Sequence, residues 1–373
     1  ITLERNPNYW KKDLPYLDRI VYKFIPDTAA MTAALEKGEI DAIGHYGFPM
    51  NEIERFQKNP NIKVETADPG FGSQVGYWFN MQRSITKDVN FRQAVAYALD
   101  RKYMIEKATY GTGTLEDSML HKFLPWYSDK VQKYPYDVAR AKQILDENGY
   151  KVGPDGFRIT PAGDKVKIDI VYQADVYELL KAAEIIKEQL KVVGIDVMLR
   201  GYDTAAAWKT IFIDYDFDTA ILRMSSGPEP TTIAIRFYHS AFIEKKTFRN
   251  ACRYINSRVD ALFDAATKEG DFEKRRQIFE ELQVIVSKEV PILILWGRRW
   301  VTATNTYVKS TYTPTIGPGW YMQEALEQVW NLKTVPPSAG WPVGYTYVAI
   351  AIVVVAAIAL GVIAIRKRQR LKK

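Results

Sequence analysis

The spacing of apolar and polar residues predicts alternating strands and helices along most of the chain. Near the N-terminus, "RIVYKFIP" (Arg19–Pro26) predicts a strand, and "TAAMTAALEKGEID" predicts a short helix with Thr28 as its N-cap and Gly38 at its end. "IKVETAD" and "VGYWFNM" predict two further strands. This alternation is typical of α/β proteins.

Helical spacing is clearest in the middle of the chain. "DVNFRQAVAYALDRKYMIEKATYG" predicts a helical block that breaks near Asp100 and Arg101, and Asp137 is expected to cap the helix "VARAKQILDENGY", which ends at Gly149. "KVGPDGFRITPAGDKV" predicts a hairpin. The strand "VKIDIVYQ", the helix "VYELLKAAEIIKEQLKVVG" and the strand "IDVMLRGYD" then predict a β-α-β unit.

The pattern continues through the next hundred residues. "TAAAWKTIFI" predicts a helix and "FDTAILRM" a strand; two helices follow in "SRVDALFDAATKEG" and "DFEKRRQIFEELQVIVSKEV". "PILILWGRRWVTAT" predicts one buried strand. The acids of "DYDFD" alternate with aromatic residues, which favours a strand with one wet and one buried face over a calcium loop, because the glycine and terminal Glu of an EF-hand are missing.

An uncharged apolar run closes the chain and is followed at once by a basic tail. As a helix, residues 343–365 would be about 34 Å long, against about 30 Å of bilayer hydrocarbon. The run therefore predicts a transmembrane helix. Six lysines and arginines in residues 366–373 predict a cytoplasmic tail by the positive-inside rule, which places the preceding residues outside the cell.

The composition supports a protein that does not bind nucleic acid. Its formal net charge is +7, and the tail supplies six of those charges, so the remaining residues lack the basic excess that nucleic-acid binding requires. The 9 Trp and 23 Tyr fit a core together with a ligand-binding surface. Cys252 is the single cysteine, which excludes an intrachain disulfide.

A search for catalytic and cofactor motifs favours binding over catalysis. His45, His121 and His239 are far apart and show no metal-ligand spacing, and no phosphate-cradling Gly-Lys-Ser/Thr sequence occurs. "GFGSQVG" precedes a predicted strand rather than a helix and is interpreted as a loop. We therefore predict a protein that is not an enzyme and has no cofactor.

Several segments occur in an order and spacing that resemble a known family. They are "NPNYW", "LDRIVYKFIPD", "ALEKGEIDAI", "DVNFRQAVAYALDRKYMI", "YPYDVARAKQILDENGY", "LKVVGIDVML", "FDTAILRM" and "RRQIFEELQVIVSKEVPILILW". Together they resemble the family 5 solute-binding proteins of ABC importers, which bind oligopeptides, dipeptides, oligosaccharides or nickel. The resemblance extends from about Leu3 to Leu332.

The resemblance implies an α/β, two-lobed, type II periplasmic-binding-protein-like fold with an incomplete N-terminal part. The family carries about as much chain again before its Asn-Pro-x-Tyr-Trp segment, which agrees with the absence of a signal peptide, and a C-terminal anchor is similar to archaeal members. The predicted divisions are part of a first lobe (1–85), a larger second lobe (86–300), strands returning to the first lobe (301–333), a linker (334–342), the transmembrane helix (343–365) and the cytoplasmic tail (366–373).

The resemblance also implies roles for individual residues. Most matched positions are expected to fix turns, caps and packing, namely Trp10, Gly38, Asp41, Arg92, Asp100 and Arg101. Ligand contacts are expected from the loop after "FDTAILRM" and from the strand matching "GYWFN". The predicted ligand-binding residues are Tyr77, Trp208, Arg223, Met224, Ser226, Glu229 and Trp296.

Ser226 marks a departure from the peptide-binding members of the family. It stands where those members have an aspartate that pairs with the peptide's amino terminus, and a buried ammonium without a counter-charge is costly. Glu229 is the alternative counter-charge. The departure favours sugars, which stack on aromatic side chains such as Trp208, Tyr77 and Trp296.

The predicted function is the membrane-anchored, extracytoplasmic solute-binding component of an ABC importer. It would close on a peptide or an oligosaccharide and present it to the permease subunits. The alternative is an anchored extracellular hydrolase of peptides or glycans. A single-pass sensor is a third hypothesis, for which a tail of eight residues is too short to form a signalling domain.

Overall fold

The computed structural model describes residues 1–44, 48–67, 73–310 and 329–331. Its strands are β1 (Thr2–Glu4), β2 (Arg19–Val21), β3 (Ala42–Ile43), β4 (Ile62–Ala67), β5 (Ser73–Phe79), β6 (Lys151–Val152), β7 (Arg158–Ile159), β8 (Lys167–Gln173), β9 (Asp196–Tyr202), β10 (Thr219–Ser225), β11 (Ile292–Gly297), β12 (Trp300–Asn305), β13 (Val308–Ser310) and β14 (Val329–Asn331). Its α-helices are α1 (Thr28–Glu36), α2 (Ile53–Lys58), α3 (Val89–Ala98), α4 (Arg101–Thr109), α5 (Val138–Glu147), α6 (Tyr177–Val192), α7 (Thr204–Trp208), α8 (Ile235–Tyr238), α9 (Ser257–Lys268) and α10 (Phe272–Glu289). These elements confirm the predicted α/β class.

Five strands form what we call the large sheet, in the order β11-β5-β10-β8-β9. β8 pairs in parallel with β9 and with β10, whereas β5 is antiparallel to both of its neighbours, β10 and β11. α6 connects β8 to β9, so the predicted β-α-β unit is confirmed. The result is a mixed sheet with an antiparallel edge.

Apolar clusters cover both faces of the large sheet. β5 is buried along its whole length. Its alternating side chains divide between the two clusters, with Val75, Tyr77 and Phe79 in one and Trp78 in the other. A strand covered on both faces reads as a continuous apolar run, which is why "VGYWFNM" predicts this strand well.

The helices begin and end largely where the sequence predicts. Asp100 caps α4 by accepting a hydrogen bond from the Tyr103 amide, and Asp137 caps α5 by accepting one from the Arg140 amide. Gly149, at φ +80°, follows α5. The predicted break in the helical block is therefore confirmed.

Three strands form a second sheet, which we call the small sheet, in the order β3-β12-β4. All its pairings are antiparallel. Its core contains the buried side chains of Leu35, Ile43, Phe48, Ile53, Phe56, Ile62, Val301 and Ala303. Both α1 and α2 contribute side chains to this core, so these two short helices pack against the small sheet.

The chain passes from the large sheet to the small sheet at Arg298 and Arg299, between β11 and β12. The prediction of one strand for "PILILWGRRWVTAT" is therefore wrong: the apolar run is two strands in different sheets. β5 pairs within the large sheet, although the predicted first lobe, 1–85, includes it. The division into two lobes stays a prediction.

Two local predictions are wrong for identifiable reasons. The N-cap of α1 is Asp27, whose carboxylate accepts a hydrogen bond from the Ala30 amide, and Thr28 is the first helical residue. "DYDFD" is not a strand: Asp214 ends a π-helix that starts at Lys209, and Tyr215 turns the chain with φ +55°. Asp216 instead forms ion pairs with Arg83 and Arg200, and Asp218 forms one with Arg83.

Two buried arginines have the structural roles that the resemblance implies. The guanidinium of Arg92 donates to the carbonyl oxygens of Thr86, Lys87, Glu289 and Val290. Arg101 is bound in the same way; its guanidinium donates to three carbonyl oxygens and to the Asp117 carboxylate. Trp10, by contrast, is 78% exposed, so its expected packing role is not seen among the described residues.

The predicted linker (334–342), transmembrane helix (343–365) and basic tail (366–373) lie outside the described residues, as does most of the predicted return segment (301–333) beyond Ser310. Of the helices that the structure does describe, none has the length and apolar character needed to cross a bilayer.

Candidate functional site

A cleft opens where the chain crosses between the two sheets. Its lining residues are Phe48, Met50, Thr109, Thr112, Gly113, Glu178, Arg223, Trp296, Arg298, Arg299 and Val301. Phe48 and Val301 belong to the core of the small sheet, and Trp296 belongs to a cluster on the large sheet. A molecule in this cleft would therefore contact residues associated with both sheets.

Glu178 is the charged centre of the cleft. It lies in the first turn of α6 and is 6% exposed. Its Oε1 atom accepts hydrogen bonds from Arg223 Nε at 2.6 Å and from Arg298 Nε at 2.9 Å. Burial alone would raise the pKa of Glu178, but the positive charges and hydrogen bonds of Arg298 and Arg223 lower it to about 2. The carboxylate is therefore ionised at neutral pH.

Arg298 joins the chain crossing to the large sheet. Its backbone amide donates to the carbonyl oxygen of Ser73 at 2.8 Å, and its Nη1 atom donates to Ser73 Oγ at 3.2 Å. Ser73 is the first residue of β5. The side chain of Arg298 therefore connects the chain crossing with the start of β5 and, through Glu178, with the first turn of α6.

A β-bulge sets the position of Trp296. Ile294 pairs with Gly76 and Trp296 pairs with Val75, so Leu295 is the extra residue in β11. Leu295 and Trp296 both join the same apolar cluster, although neighbouring strand residues ordinarily face opposite sides. The bulge therefore brings the indole to the side of the sheet where the cleft lies.

Arg223 is the most accessible member of the charged group. It lies on β10, and its side chain is 38% exposed. Nε is bound to Glu178, while the two Nη groups make no hydrogen bond to any residue that the structure describes. The guanidinium is thus held at one edge and open at the other.

Two of the predicted ligand-binding residues lie in the cleft, Arg223 and Trp296. Tyr77 and Met224 are buried in the apolar clusters, and the Tyr77 hydroxyl lies 2.9 Å from Thr219 Oγ1. Burial raises the pKa of Tyr77 well above its usual value. Both side chains therefore pack the large sheet in this structure.

The other three predicted residues do not line the cleft. Trp208 packs edge-on against Phe248, and Glu229 forms an ion pair with Arg275 at 2.7 Å. Ser226 is fully buried, and its Oγ has no hydrogen-bond partner in the described part of the chain. Glu229, the alternative counter-charge for an amino group, is thus already paired.

Sequence reasoning missed Glu178, Arg298 and Arg299. One signal for Glu178 was available: it lies four residues before Ala182 and eight before Ile186, on the buried face of an amphipathic helix, where an acid needs a partner. For the two arginines the signal was their position directly after an apolar strand. Across the described ranges, no group of three or more His, Cys, Asp and Glu side chains could hold a metal ion.

Comparison with known proteins gives consistent results. The chain is 30% identical over 287 residues to heme-binding protein A of Haemophilus influenzae, covering 76% of this chain and 49% of the relative. It is 29% identical over 312 residues to the oligopeptide-binding protein AppA of Bacillus subtilis, covering 79% of this chain and 53% of the relative. The chain thus spans about half the length of the curated relatives it matches.

Solved structures share the fold. The structure of AppA from Bacillus subtilis in complex with a nonapeptide matches with a TM-score of 0.74 and 25% identity, covering 88% of this chain and 63% of that chain. NikA from Brucella suis in complex with Fe(III)-EDTA matches with a TM-score of 0.76 and 22% identity, covering 88% and 65%; this likeness shows the fold alone.

A family model matches most of the chain. The model described as bacterial extracellular solute-binding proteins, family 5 Middle, matches residues 1–244, about two thirds of the sequence. This range includes both Glu178 and Arg223. The chain belongs to the family 5 extracellular solute-binding proteins.

Proposed function

We propose that the chain is the ligand-binding portion of an extracytoplasmic solute-binding protein that delivers its ligand to an ABC permease. Membership of family 5 supports this proposal, as do relatives named for binding oligopeptides and heme. The ligand we propose is a peptide or an oligosaccharide. The protein would release it unchanged, as a binding component and not an enzyme.

The observation that carries the proposal is the composition of the cleft. Phe48, Met50 and Val301 line it beside the small sheet, and Glu178 and Arg223 line it beside the large sheet. A ligand that contacts both groups stabilises the arrangement in which they approach each other, at the expense of more open ones. A permease that recognises the closed arrangement would thereby detect the loaded protein.

Within the predicted ligand-binding set, we propose Arg223 and Trp296 as contacts and add Glu178, Arg298 and Arg299. Tyr77, Trp208, Met224, Ser226 and Glu229 lie outside the cleft lining and would reach a ligand only after rearrangement. Because two of the three aromatic residues expected to stack on a sugar are packed elsewhere, the described cleft favours a peptide over a neutral oligosaccharide.

We also propose that residues 343–365 anchor the protein in the cell membrane, with the binding domain outside and residues 366–373 in the cytoplasm. The support is the apolar run and its six following basic residues. An anchor of this kind would keep the binding domain near its permease. It would raise the effective concentration of the binding domain at the permease without new contacts between the two proteins.

The test is a thermal-shift screen followed by recovery of the ligand. The full 373-residue chain, purified in a mild detergent, is screened against pools of tripeptides and oligosaccharides. We expect a rise in Tm with one class, and intact ligand recovered by mass spectrometry. Cleaved products would overturn the proposal in favour of an anchored hydrolase, and the absence of any shift would count against a binding role for this chain.

A further inference from the structure

We infer that the cleft takes ligands that present a carboxylate to Arg223 and that require no free amino group. The inference rests on the proposed function, because it assigns a ligand class to the same cleft. It applies to acidic peptides and to acidic sugars alike, since a peptide carboxylate and a uronate share the chemistry.

The first support is the charge of the lining. The described lining residues include three arginines, at positions 223, 298 and 299, and one carboxylate, that of Glu178. Arg223 and Arg298 lower the pKa of Glu178 to about 2, so this carboxylate is ionised and already engaged by the two guanidinium groups to which it is bonded. The Nη groups of Arg223 would therefore attract an anionic group on the ligand, whereas they would repel an ammonium.

The second support is the geometry of Arg223. Its Nε bond to Glu178 at 2.6 Å fixes the plane of the guanidinium, and its Nη groups have no partner among the described residues. A guanidinium fixed in this way loses little further freedom when it binds, and a planar carboxylate can accept two parallel hydrogen bonds from it. Glu178 thus orients the Nη groups of Arg223, to which the ligand would bind.

The third support is the indole of Trp296. The residue lines the cleft, is fully buried, and its Nε1–H has no hydrogen-bond partner in the described part of the chain. An indole can only donate, so its partner must be an acceptor. An N–H donor in this lining can form a hydrogen bond with a carboxylate. It cannot form one with an ammonium, which is itself a donor.

Among the described residues that line the cleft, the amino end of a ligand finds no free carboxylate. Glu178 Oε1 already accepts from two arginines, and Glu229 is paired with Arg275 outside the lining. Ser226 is neutral and buried away from the cleft. Blocking the amino group of a ligand should therefore change its affinity little.

The experiment compares four forms of one tripeptide pool by isothermal titration of the full chain: free, N-acetylated, C-amidated, and blocked at both ends. Trigalacturonate and its methyl ester form a second pair. In each comparison the amide or ester keeps the shape of the corresponding acid but lacks its carboxylate. We expect the acids to bind roughly 10- to 100-fold more tightly than the amides or the ester, and N-acetylation to change Kd less than about threefold.

Two variants separate recognition from folding. Arg223→Gln should remove the preference of the protein for acids over amides. Arg249→Gln is the matched control, because Arg249 makes the same Nε-to-carboxylate contact at 2.6 Å, to Glu244, away from the cleft; this variant should keep the preference. If Arg223→Gln does not fold, the comparison of acids with amides on the wild-type chain still decides the question.

Each outcome has a distinct meaning. Equal affinity for acids and amides, or equal weakening of both by Arg223→Gln, would overturn the inference while leaving the transport proposal standing. A strict requirement for the free amine would overturn it as well. If none of the six probes binds, the proposed function fails and the inference fails with it.

Discussion

The two sheets differ most in how they are stabilised. The large sheet has an apolar cluster on each face and an interior strand, β5, that is buried throughout. The small sheet has one compact core, and strands β1 and β2, which form a separate two-stranded sheet earlier in the chain, are almost fully exposed. Local stability follows buried contacts, so the large sheet should open only on global unfolding, and the small sheet more readily. The charged residues of the cleft are therefore held mainly by the more stable region.

The largest expected effect tests this difference with matched core substitutions. Phe79→Ala removes a fully buried ring from β5 and should lower the free energy of unfolding by about 3–5 kcal/mol, measured by urea denaturation. Phe56→Ala removes an equally buried ring from the core of the small sheet. For Phe56→Ala we expect amide exchange faster than in the wild type, confined to residues 28–44 and 48–67. Equal losses in the main transition would contradict the comparison.

A second prediction concerns the charge that the large sheet holds at the cleft. Since the pKa of Glu178 falls from 4.5 to about 2 on folding, its ionised form should contribute about 3 kcal/mol at neutral pH. This contribution is present above pH 4.5 and disappears as the pH falls toward 2. Glu178→Gln should therefore be less stable than wild type at pH 7 and equal to it near pH 2, as measured by urea midpoints across pH. A difference that does not depend on pH would refute this account.

The third prediction compares glycines. A Cβ at Gly76, on β5, would lie 2.6 Å from Ile292 Cγ2, so Gly76→Ala should overpack the large sheet and cost about 1–3 kcal/mol. A Cβ at Gly44, after β3, would meet no atom within 4 Å. Gly44→Ala should therefore change Tm by no more than a degree or two, as read by scanning calorimetry. A larger loss at Gly44 would mean that the region of the small sheet is packed more tightly than described.

The smallest expected effects are at helix caps. Asp137→Ala removes the N-cap of α5, whose buried face belongs to a cluster of the large sheet, and should lower global stability by about 1 kcal/mol. Asp27→Ala removes the N-cap of α1, beside the small sheet. Its effect should appear as faster exchange of the first amides of α1 with little change in Tm. Asn at either position should restore most of the loss, which separates capping from charge.

The sequence predicts well the elements whose signal is local. The break between α3 and α4, the Asp137 cap and the β-α-β unit each depend on residues within a few positions of one another. Thr28 was misassigned as an N-cap because Asp27, which is as good a capping residue, stands directly before it. Local rules place such a boundary to within one residue.

The cleft was harder to predict because its residues come from distant parts of the chain. Glu178 and Arg298 are 120 residues apart and meet only once α6 and β11 are packed on the large sheet. Tyr77 was expected to contact a ligand, yet the face on which its ring lies is decided by the register of β5 and the cluster beneath it. Residue type indicates which side chains can bind a ligand, whereas long-range packing decides which of them are available.

The bulge at Leu295 bears on how this cleft could change during evolution. Because Ile294 and Trp296 lie on opposite faces of β11, losing the Leu295 codon would leave Trp296 directly after Ile294 in regular alternation, still paired with Val75 and still on the face of the cleft. One in-frame deletion would thus remove the bulge without withdrawing the indole from the cleft. Among descendants of this gene, loss of Leu295 should therefore separate ligand preferences less sharply than substitutions of Trp296 itself.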